Sequence, residues 1–130
     1  MNEACHWAKT LLDALEPRIC LVDEAGVIVA VNRSWAESAR ENGNASRAGV
    51  PGQSYFSACE EAAASDEGAV AEAAGLRAVL AGELPRFSLE YPCEAPEGRR
   101  WAEVTVTRIS REGAVLAAVV HSDVTGRRRA

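Results

Sequence analysis

Two predicted strands near the C-terminus constrain the fold of this chain more than any other part of the sequence. Gly98 precedes the first of them, Trp101 to Ile109, and Gly113 precedes the second, Ala114 to Val120. Glycine is favoured in such turns because it adopts a positive φ without steric cost. Strands joined by so short a connection pair antiparallel. The chain is therefore expected to contain an antiparallel sheet in which these two strands are neighbours.

The preceding sequence supplies a second group of strands and a block of helices. Two apolar runs, Ile19 to Val22 and Val27 to Val31, flank a turn and predict a hairpin. Apolar residues three and four apart predict helices from Arg33 to Glu41 and from Ala69 to Ala81. Arg86 to Tyr91 alternates polar and apolar side chains, as a half-buried strand does. Strands on both sides of a helical block predict one α+β domain, which 130 residues can accommodate.

A further helix is predicted ahead of this domain, from Glu3 to Leu15. Trp7, Leu11 and Leu15 recur every four residues and form an apolar stripe along it. A small sheet cannot cover this stripe fully, so the stripe needs a partner surface. We expect the same helix of a second copy, or the outer face of the sheet, to bury these three side chains, and we expect a homodimer.

Composition argues against several classes of protein. The formal net charge is −5 at pH 7 and the only basic cluster is Arg127 to Arg129, so nucleic-acid binding is not expected. No apolar run reaches the roughly 18 residues of a membrane-spanning helix, and no signal-peptide pattern is present, which predicts a cytoplasmic location. The sequence has no nucleophile elbow, phosphate loop, dinucleotide-binding motif or zinc-protease motif. We therefore expect no enzymatic activity.

The four cysteines, Cys5, Cys20, Cys59 and Cys93, lie far apart in the sequence. None forms the Cys-x-x-Cys pair that is typical of a metal site. In a reducing compartment their simplest interpretation is small buried apolar groups, with a redox or metal role as the alternative. No metal site is predicted.

Several segments, taken in order, resemble those of PAS domains. Ile19 to Asn32 resembles the opening hairpin of that family, Gly52 to Phe56 its glycine-led entry into short helices, and Phe87 to Trp101 its long central hairpin. The last strand ends in Asp123-Val124-Thr125, which is similar to the family's Asp-Ile-Thr or Asp-Val-Thr. The resemblance covers Leu12 to Thr125 and implies a five-stranded antiparallel sheet of order 2-1-5-4-3 with helices on one face.

The resemblance also implies how the chain is divided and what it does. Residues 1–15 would be a flanking helix, residues 16–125 the PAS domain, and residues 126–130 the start of a linker to an output module. Such domains belong to bacterial signalling proteins, for example histidine kinases or cyclic-dinucleotide enzymes. By resemblance, Asp123 and Thr125 relay a conformational change, since their oxygens can bond backbone amides of the exiting segment.

A small-molecule site between the sheet and the longer helix is a further implication of the resemblance. The candidate wall residues are mostly apolar, as a pocket with a few polar groups requires. They are Trp35, Tyr55, Phe56, Cys59, Leu76, Leu80, Phe87, Leu89, Tyr91, Trp101, Val119 and His121. The alternative is a PAS fold without ligand that serves as a dimerisation and relay module. The volume that these residues enclose would separate the two hypotheses.

Known cofactors of the family find little support in the sequence. Haem sensors generally take an axial histidine from the longer helix, but the only histidines are His6 and His121, both outside it. The Asn-Cys-Arg-Phe-Leu-Gln motif of covalent flavin sensors is absent. A haem or flavin sensor is thus the weakest alternative, and the cofactor is unknown. His121 itself is interpreted either as a pH-sensitive group or as a hydrogen-bonded histidine at the end of a strand.

Overall fold

The computed structural model describes residues 3–41, 50–57, 59, 67–95 and 98–126. Of residues 3–6, 39–41, 67–69, 93–95 and 111, it describes the backbone alone. The elements, in chain order, are α1 (Glu3–Ala14), β1 (Arg18–Asp23), β2 (Ile28–Val31), α2 (Arg33–Glu41), a helical turn at residues 55–57, α3 (Glu67–Leu80), β3 (Arg86–Ala95), β4 (Gly98–Arg111) and β5 (Ala114–Asp123).

The strands form one five-stranded antiparallel sheet of order β2-β1-β5-β4-β3. The last strand lies in the centre, where Val119 pairs with Cys20 of β1 on one side and with Val106 of β4 on the other. The predicted α+β fold and its strand order are confirmed. Strand β5 therefore joins the N-terminal hairpin to the C-terminal strands.

Strand β5 is longer than the sequence analysis predicts. We expected it to stop at Val120, but His121, Ser122 and Asp123 also pair with β4, so the strand is three residues longer. His121 is thereby a residue of the sheet, opposite Val104 on β4 and Arg18 on β1. Its side chain takes the inward orientation that the alternation of the strand dictates.

The turn between β1 and β2 depends on glycine. Gly26 has a φ of 87°, and the Asp23 carboxylate accepts hydrogen bonds from the amides of Ala25 and Val27 at 2.9 and 3.0 Å. A Cβ atom at Gly26 would lie 2.4 Å from the ring of Phe56. Both the backbone conformation and the close approach of this ring therefore require glycine.

Asn32 joins three elements through one side chain. Its Oδ1 accepts hydrogen bonds from the amides of Ile19 and Trp35, both at 3.0 Å, and the second of these bonds caps the N-terminus of α2. Its Nδ2 donates to the carbonyls of Leu12 and Pro17, both at 2.9 Å. The end of α1, strand β1 and the start of α2 are thus fixed relative to one another.

The N-terminal helix α1 is attached to the domain mainly at its C-terminal end. Besides the bond to Asn32, the Arg33 amide donates to the Asp13 carboxylate at 2.9 Å. The side chains of the predicted stripe are exposed: Trp7 by 70%, Leu11 by 60% and Leu15, just beyond the helix, by 39%. Among the described residues, no helix is both long and apolar enough to cross a bilayer.

Helix α3 covers the inner face of the sheet. Ala73, Leu76 and Val79 recur every three residues and are buried against it. The inward side chains of the strands complete the core: Cys20, Val22, Ile28, Val104, Val106, Ala117 and Val119. Helix and sheet approach closely at Gly75, where an added Cβ would lie 2.4 Å from the ring of Phe87.

Candidate functional site

Four polar side chains meet between α3 and the sheet, and we call them the polar cluster: Tyr55, Glu72, Tyr91 and His121. Nε2 of His121 lies 3.4 Å from Oε1 of Glu72 and 3.1 Å from the hydroxyl of Tyr55. Nδ1 of the same ring lies 2.7 Å from the hydroxyl of Tyr91. The Tyr55 hydroxyl donates a hydrogen bond to Glu72. Each partner of the histidine therefore belongs to a different segment of the fold.

The periodicity of each element explains why these side chains meet. Glu72 precedes Leu76 by one helical turn and so lies on the buried face of α3. His121 follows Ala117 and Val119 on the inner face of β5, at a spacing of two. Tyr91 lies on the inner face of β3 because it follows Phe87 and Leu89 at the same spacing of two, and all three pack against the core. The local folding of α3 and of the two strands fixes the face on which each of these side chains lies, and the packing of α3 on the sheet brings them together.

The cluster is enclosed by aromatic rings and is nearly shielded from solvent. The side chains of His121 and Glu72 are only 10% and 12% exposed. The ring of Trp35 presents an edge to His121 at a centroid distance of 5.6 Å and lies 6.1 Å from the ring of Tyr55. In the part of the chain that the structure describes, every buried side-chain nitrogen and oxygen has a hydrogen-bond partner.

Charge and burial act in opposite directions on the carboxyl of Glu72. Burial raises its pKa, but the hydrogen bond of His121, the positive charge that this ring carries when protonated, the Tyr55 hydroxyl and the positive charge of Arg18 lower it, and the net effect is a pKa below the ordinary value. Burial, and secondarily the negative charge of Glu72, raises the pKa of Tyr55 and of Cys20. At neutral pH the cluster therefore holds a carboxylate and a protonated phenol, beside the protonated thiol of Cys20.

A second group of polar contacts fixes the end of β5. The Asp123 carboxylate accepts hydrogen bonds from Arg100 Nε at 2.7 Å and from the Thr125 amide at 2.8 Å. Arg100, and then the Thr125 amide, hold the pKa of Asp123 well below its ordinary value. The Trp101 amide donates to the Thr125 hydroxyl at 2.8 Å, and the Trp101 carbonyl accepts from the Val124 amide at 2.8 Å. The contact of Asp123 with the Thr125 amide is of the expected kind, whereas the Thr125 hydroxyl contacts the main chain of β4 and not an amide of the exiting segment.

Most of the predicted wall residues are brought together around this space. Trp35, Tyr55, Cys59, Leu76 and Val119 are buried in the core. The partly buried residues that pack against them are Phe56, Leu80, Phe87, Leu89 and Tyr91. Phe56 also carries the guanidinium of Arg77 over its ring, 4.4 Å from the centroid. The structure thus gathers residues that the sequence spreads from Trp35 to His121.

Trp101 is the exception, because the structure places it outside this site. Ala102, Val104 and Val106 are the buried residues of β4, and side chains alternate along a strand. Trp101 therefore lies on the opposite face of the sheet. Its main chain forms hydrogen bonds with Val124 and Thr125 at the end of β5.

Glu72 is the site residue that the sequence analysis missed. The segment around it reads as an alanine-rich helix whose charged residues face solvent. Its position in the helix could have indicated that Glu72 is buried. It is adjacent to Ala73 and four residues before Leu76, and both of these lie on the buried face. A carboxylate at such a position needs partners, and the aromatic and histidine side chains of distant strands supply them.

The structure shows two of the four cysteines, Cys20 and Cys59, as buried thiols that form no disulfide. The side chains of Cys5 and Cys93, and that of His6, lie outside the described residues. Within the described part of the chain, no three histidine, cysteine or acidic side chains are placed to hold a metal ion.

Comparison with known proteins identifies the family. The family model described as "PAS fold" matches residues 12–130, nearly the whole chain. The chain belongs to the PAS fold family. This confirms the assignment made from the order of the segments.

Two solved structures share the fold of this chain, and one curated protein is similar to it in sequence. The PAS domain of Bordetella pertussis BvgS is 15% identical with a TM-score of 0.67, covering 98% of this chain and 91% of that one. The PAS domain of an HTR-like protein from Haloarcula marismortui is 21% identical with a TM-score of 0.58, covering 95% and 99%. An uncharacterized 104.1 kDa protein in the hypE 3′ region of Rhodobacter capsulatus is 32% identical over 123 residues. The match includes 90% of this chain and 12% of that protein's length.

Proposed function

We propose that this chain is a sensory and signal-relay PAS domain of a bacterial signal-transduction protein. The stimulus acts at the polar cluster, and β5 carries the resulting change to an output domain, such as a histidine kinase or a cyclic-dinucleotide enzyme, beyond Thr125. One observation carries the proposal: the buried carboxylate of Glu72 contacts His121, which lies two residues before Asp123 on the central strand.

The cost of burying this charge supports a functional role. Transfer of an ionised carboxylate from water into a protein interior costs several kcal/mol before its partners compensate it. Apolar side chains of similar volume fill the rest of this core and would fill this part at no such cost. A polar cluster that stability does not require is consistent with a site at which a signal is received.

The first form of the proposal is that a small molecule binds between the sheet and α3. The walls would be the predicted residues other than Trp101. Because Glu72 is ionised, the ligand would offer an N–H or O–H donor to this carboxylate rather than a negative charge. No catalytic role is expected for the chain, and haem and covalent flavin are not expected as cofactors.

Native mass spectrometry of the freshly purified protein tests this form directly. We expect a retained mass above that of the bare chain, and we expect Trp35→Phe to reduce its occupancy. Trp101→Phe is the matched control, because it makes the same change on the opposite face of the sheet and should leave occupancy unchanged. A bare mass under gentle conditions, with no thermal stabilisation by a metabolite extract, would argue against a ligand.

The alternative form is a PAS domain that relays a signal without a ligand. The close packing of Gly75 against the Phe87 ring favours it, because the helix and sheet leave no space between them at that point. The fully paired polar cluster favours it as well, since its groups bond to one another. The same mass measurement separates the two forms.

Dimerisation through α1 is the second part of the proposal. Trp7 and Leu11 are more than half exposed, and two such side chains on one face of a helix favour an apolar partner. We expect Trp7→Ser combined with Leu11→Ser to convert a dimer into a monomer in light scattering after size exclusion. Thr10→Ser, on the same helix, should have no effect. A dimer that survives the double substitution would show that the main contact lies elsewhere.

The location and the output module are inferred in the same way. Because the domain is proposed to act inside a signalling protein, we propose a cytoplasmic location, with the output domain covalently joined after residue 130. Neither nucleic acid nor membrane is expected to bind this segment, given its net charge of −5.

A further inference from the structure

The polar cluster contains a hydrogen-bond chain whose direction can be assigned from its chemistry. A carboxylate only accepts, so the Tyr55 hydroxyl donates its hydrogen to Glu72. The Tyr55 oxygen is then free to accept from Nε2–H of His121, 3.1 Å away. In a neutral imidazole Nδ1 must in turn accept, and the Tyr91 hydroxyl donates to it at 2.7 Å. Each hydrogen bond in this series is therefore donated toward Glu72: from Tyr91 to His121, from His121 to Tyr55, and from Tyr55 to Glu72.

One added proton reverses the first link of this chain. A proton from solvent that binds Nδ1 of His121 turns this atom from an acceptor into a donor. The hydroxyl hydrogen of Tyr91 must then rotate away, and its oxygen accepts from Nδ1–H. Simultaneously the ring becomes positive at 3.4 Å from the Glu72 carboxylate, in a site nearly closed to solvent, where such attraction is strong.

The other ionisable groups around the ring do not compete for this proton near neutral pH. Those that face the cluster are Arg18 on β1, Cys20 on β1, Tyr55 on the helical turn and Cys59 close behind it. The thiol of Cys20 and the phenol of Tyr55 stay protonated because burial raises the pKa of each. Arg18 stays positive and, as the register partner of His121, adds to the charge beside Glu72. The exchangeable proton therefore belongs to the Glu72 and His121 pair.

The reversed link lies beside the exit of β5. Tyr91 on β3 is the register partner of Ala102 on β4, and Ala102 is the register partner of Asp123 on β5. These three residues form one row across the sheet, and the row ends at Asp123. The Asp123 carboxylate accepts a hydrogen bond from the Thr125 amide. A shift of Tyr91 would reach this carboxylate through two adjacent ladder pairs, and a shift of His121 would reach it along β5, two residues away.

We propose that uptake of one proton by the Glu72 and His121 pair is a switch that reverses the hydrogen bond between His121 and Tyr91 and alters the exit of β5. The stimulus that this inference adds is a change of pH, or any other event that changes the protonation of the pair. The inference rests on the proposed relay through β5, but it does not require a small-molecule ligand.

The test is an NMR titration of the whole 130-residue chain between pH 5 and 8.5. We expect the ring carbons of His121 and the amides of Asp123 to Gly126 to change with one shared midpoint. Amides in the β1–β2 turn serve as the internal control and should not follow that midpoint. Exit amides that stay constant while the His121 ring titrates would overturn the proposal, and so would a ring that does not titrate in this range.

Two substitutions separate the switch from a merely structural role. His121→Gln removes the titrating ring, so the shared midpoint should disappear from the exit amides. Tyr91→Phe keeps the aromatic ring but removes the reversible hydrogen bond, so the exit amides should lose at least half of their pH-dependent shift. An unchanged response in Tyr91→Phe would contradict the proposed route. The ligand test by mass is independent of this outcome, so failure of the switch and failure of ligand sensing are distinguishable.

Discussion

The two halves of α3 bury side chains of opposite character against the same sheet. The C-terminal half inserts Leu76 and Val79 among the apolar residues of β1, β4 and β5. The N-terminal half inserts Glu72 among hydroxyl and imidazole groups. The apolar half gains stability from area removed from water, whereas the polar half must recover its desolvation cost through specific partners. The stability of the apolar half therefore depends on side-chain volume, and that of the polar half depends on which residue occupies each position.

The largest expected effect is on the apolar half. Leu76 is fully buried, so Leu76→Ala removes apolar contacts and leaves a cavity, and we expect it to lower the free energy of unfolding by about 2 to 5 kcal/mol. Urea denaturation followed by circular dichroism measures this. Val70→Ala on the exposed face of the same helix is the control and should change stability by less than about 0.5 kcal/mol. Equal losses at both positions would contradict the assignment of faces.

A double-mutant cycle on the polar half gives an effect of intermediate size. Glu72→Met and His121→Leu should each lower the free energy of unfolding by about 1 to 3 kcal/mol, because each leaves buried polar partners unpaired. The double variant replaces both ends of the pair by apolar groups and should be more stable than the sum of the single losses predicts. Additive losses would show that the two side chains do not interact.

The smallest effect is the dependence of stability on acid. The pKa of Glu72 is lower in the folded protein than its ordinary value of 4.5. Its contribution is therefore fully present above about pH 4.5 and is lost as the pH falls through the folded value. We expect Glu72→Gln to flatten the decline of the unfolding free energy on acidification, measured by urea denaturation at a series of pH values. Asp123→Asn serves as the comparison, because it removes another carboxyl of lowered pKa. It should also flatten the decline of the unfolding free energy, but this carboxyl is exposed whereas that of Glu72 is buried.

Local patterns in the sequence predicted the elements and the α+β class, and the resemblance to PAS domains supplied the strand order. Turn glycines, the alternation from Arg86 to Tyr91 and the cap at Asn32 each specify a local conformation, but none of them specifies which strands are neighbours in the sheet. The polar cluster could be predicted only in part. His121 and both tyrosines follow from strand and loop positions, but Glu72 depends on contacts across residues distant in sequence. Trp101 was assigned to the inner face because period two fixes a face only when the register is known.

Asn32 has a consequence for the whole chain. Its side chain holds the last turn of α1 with one end and the Trp35 amide with the other, and the Trp35 indole rests edge-on against the His121 ring. Displacing α1 would therefore move Trp35 relative to His121, which lies two residues before Asp123 on β5. In the proposed relay, a force on the segment that enters the domain would thereby reach the segment that leaves it through this one imidazole.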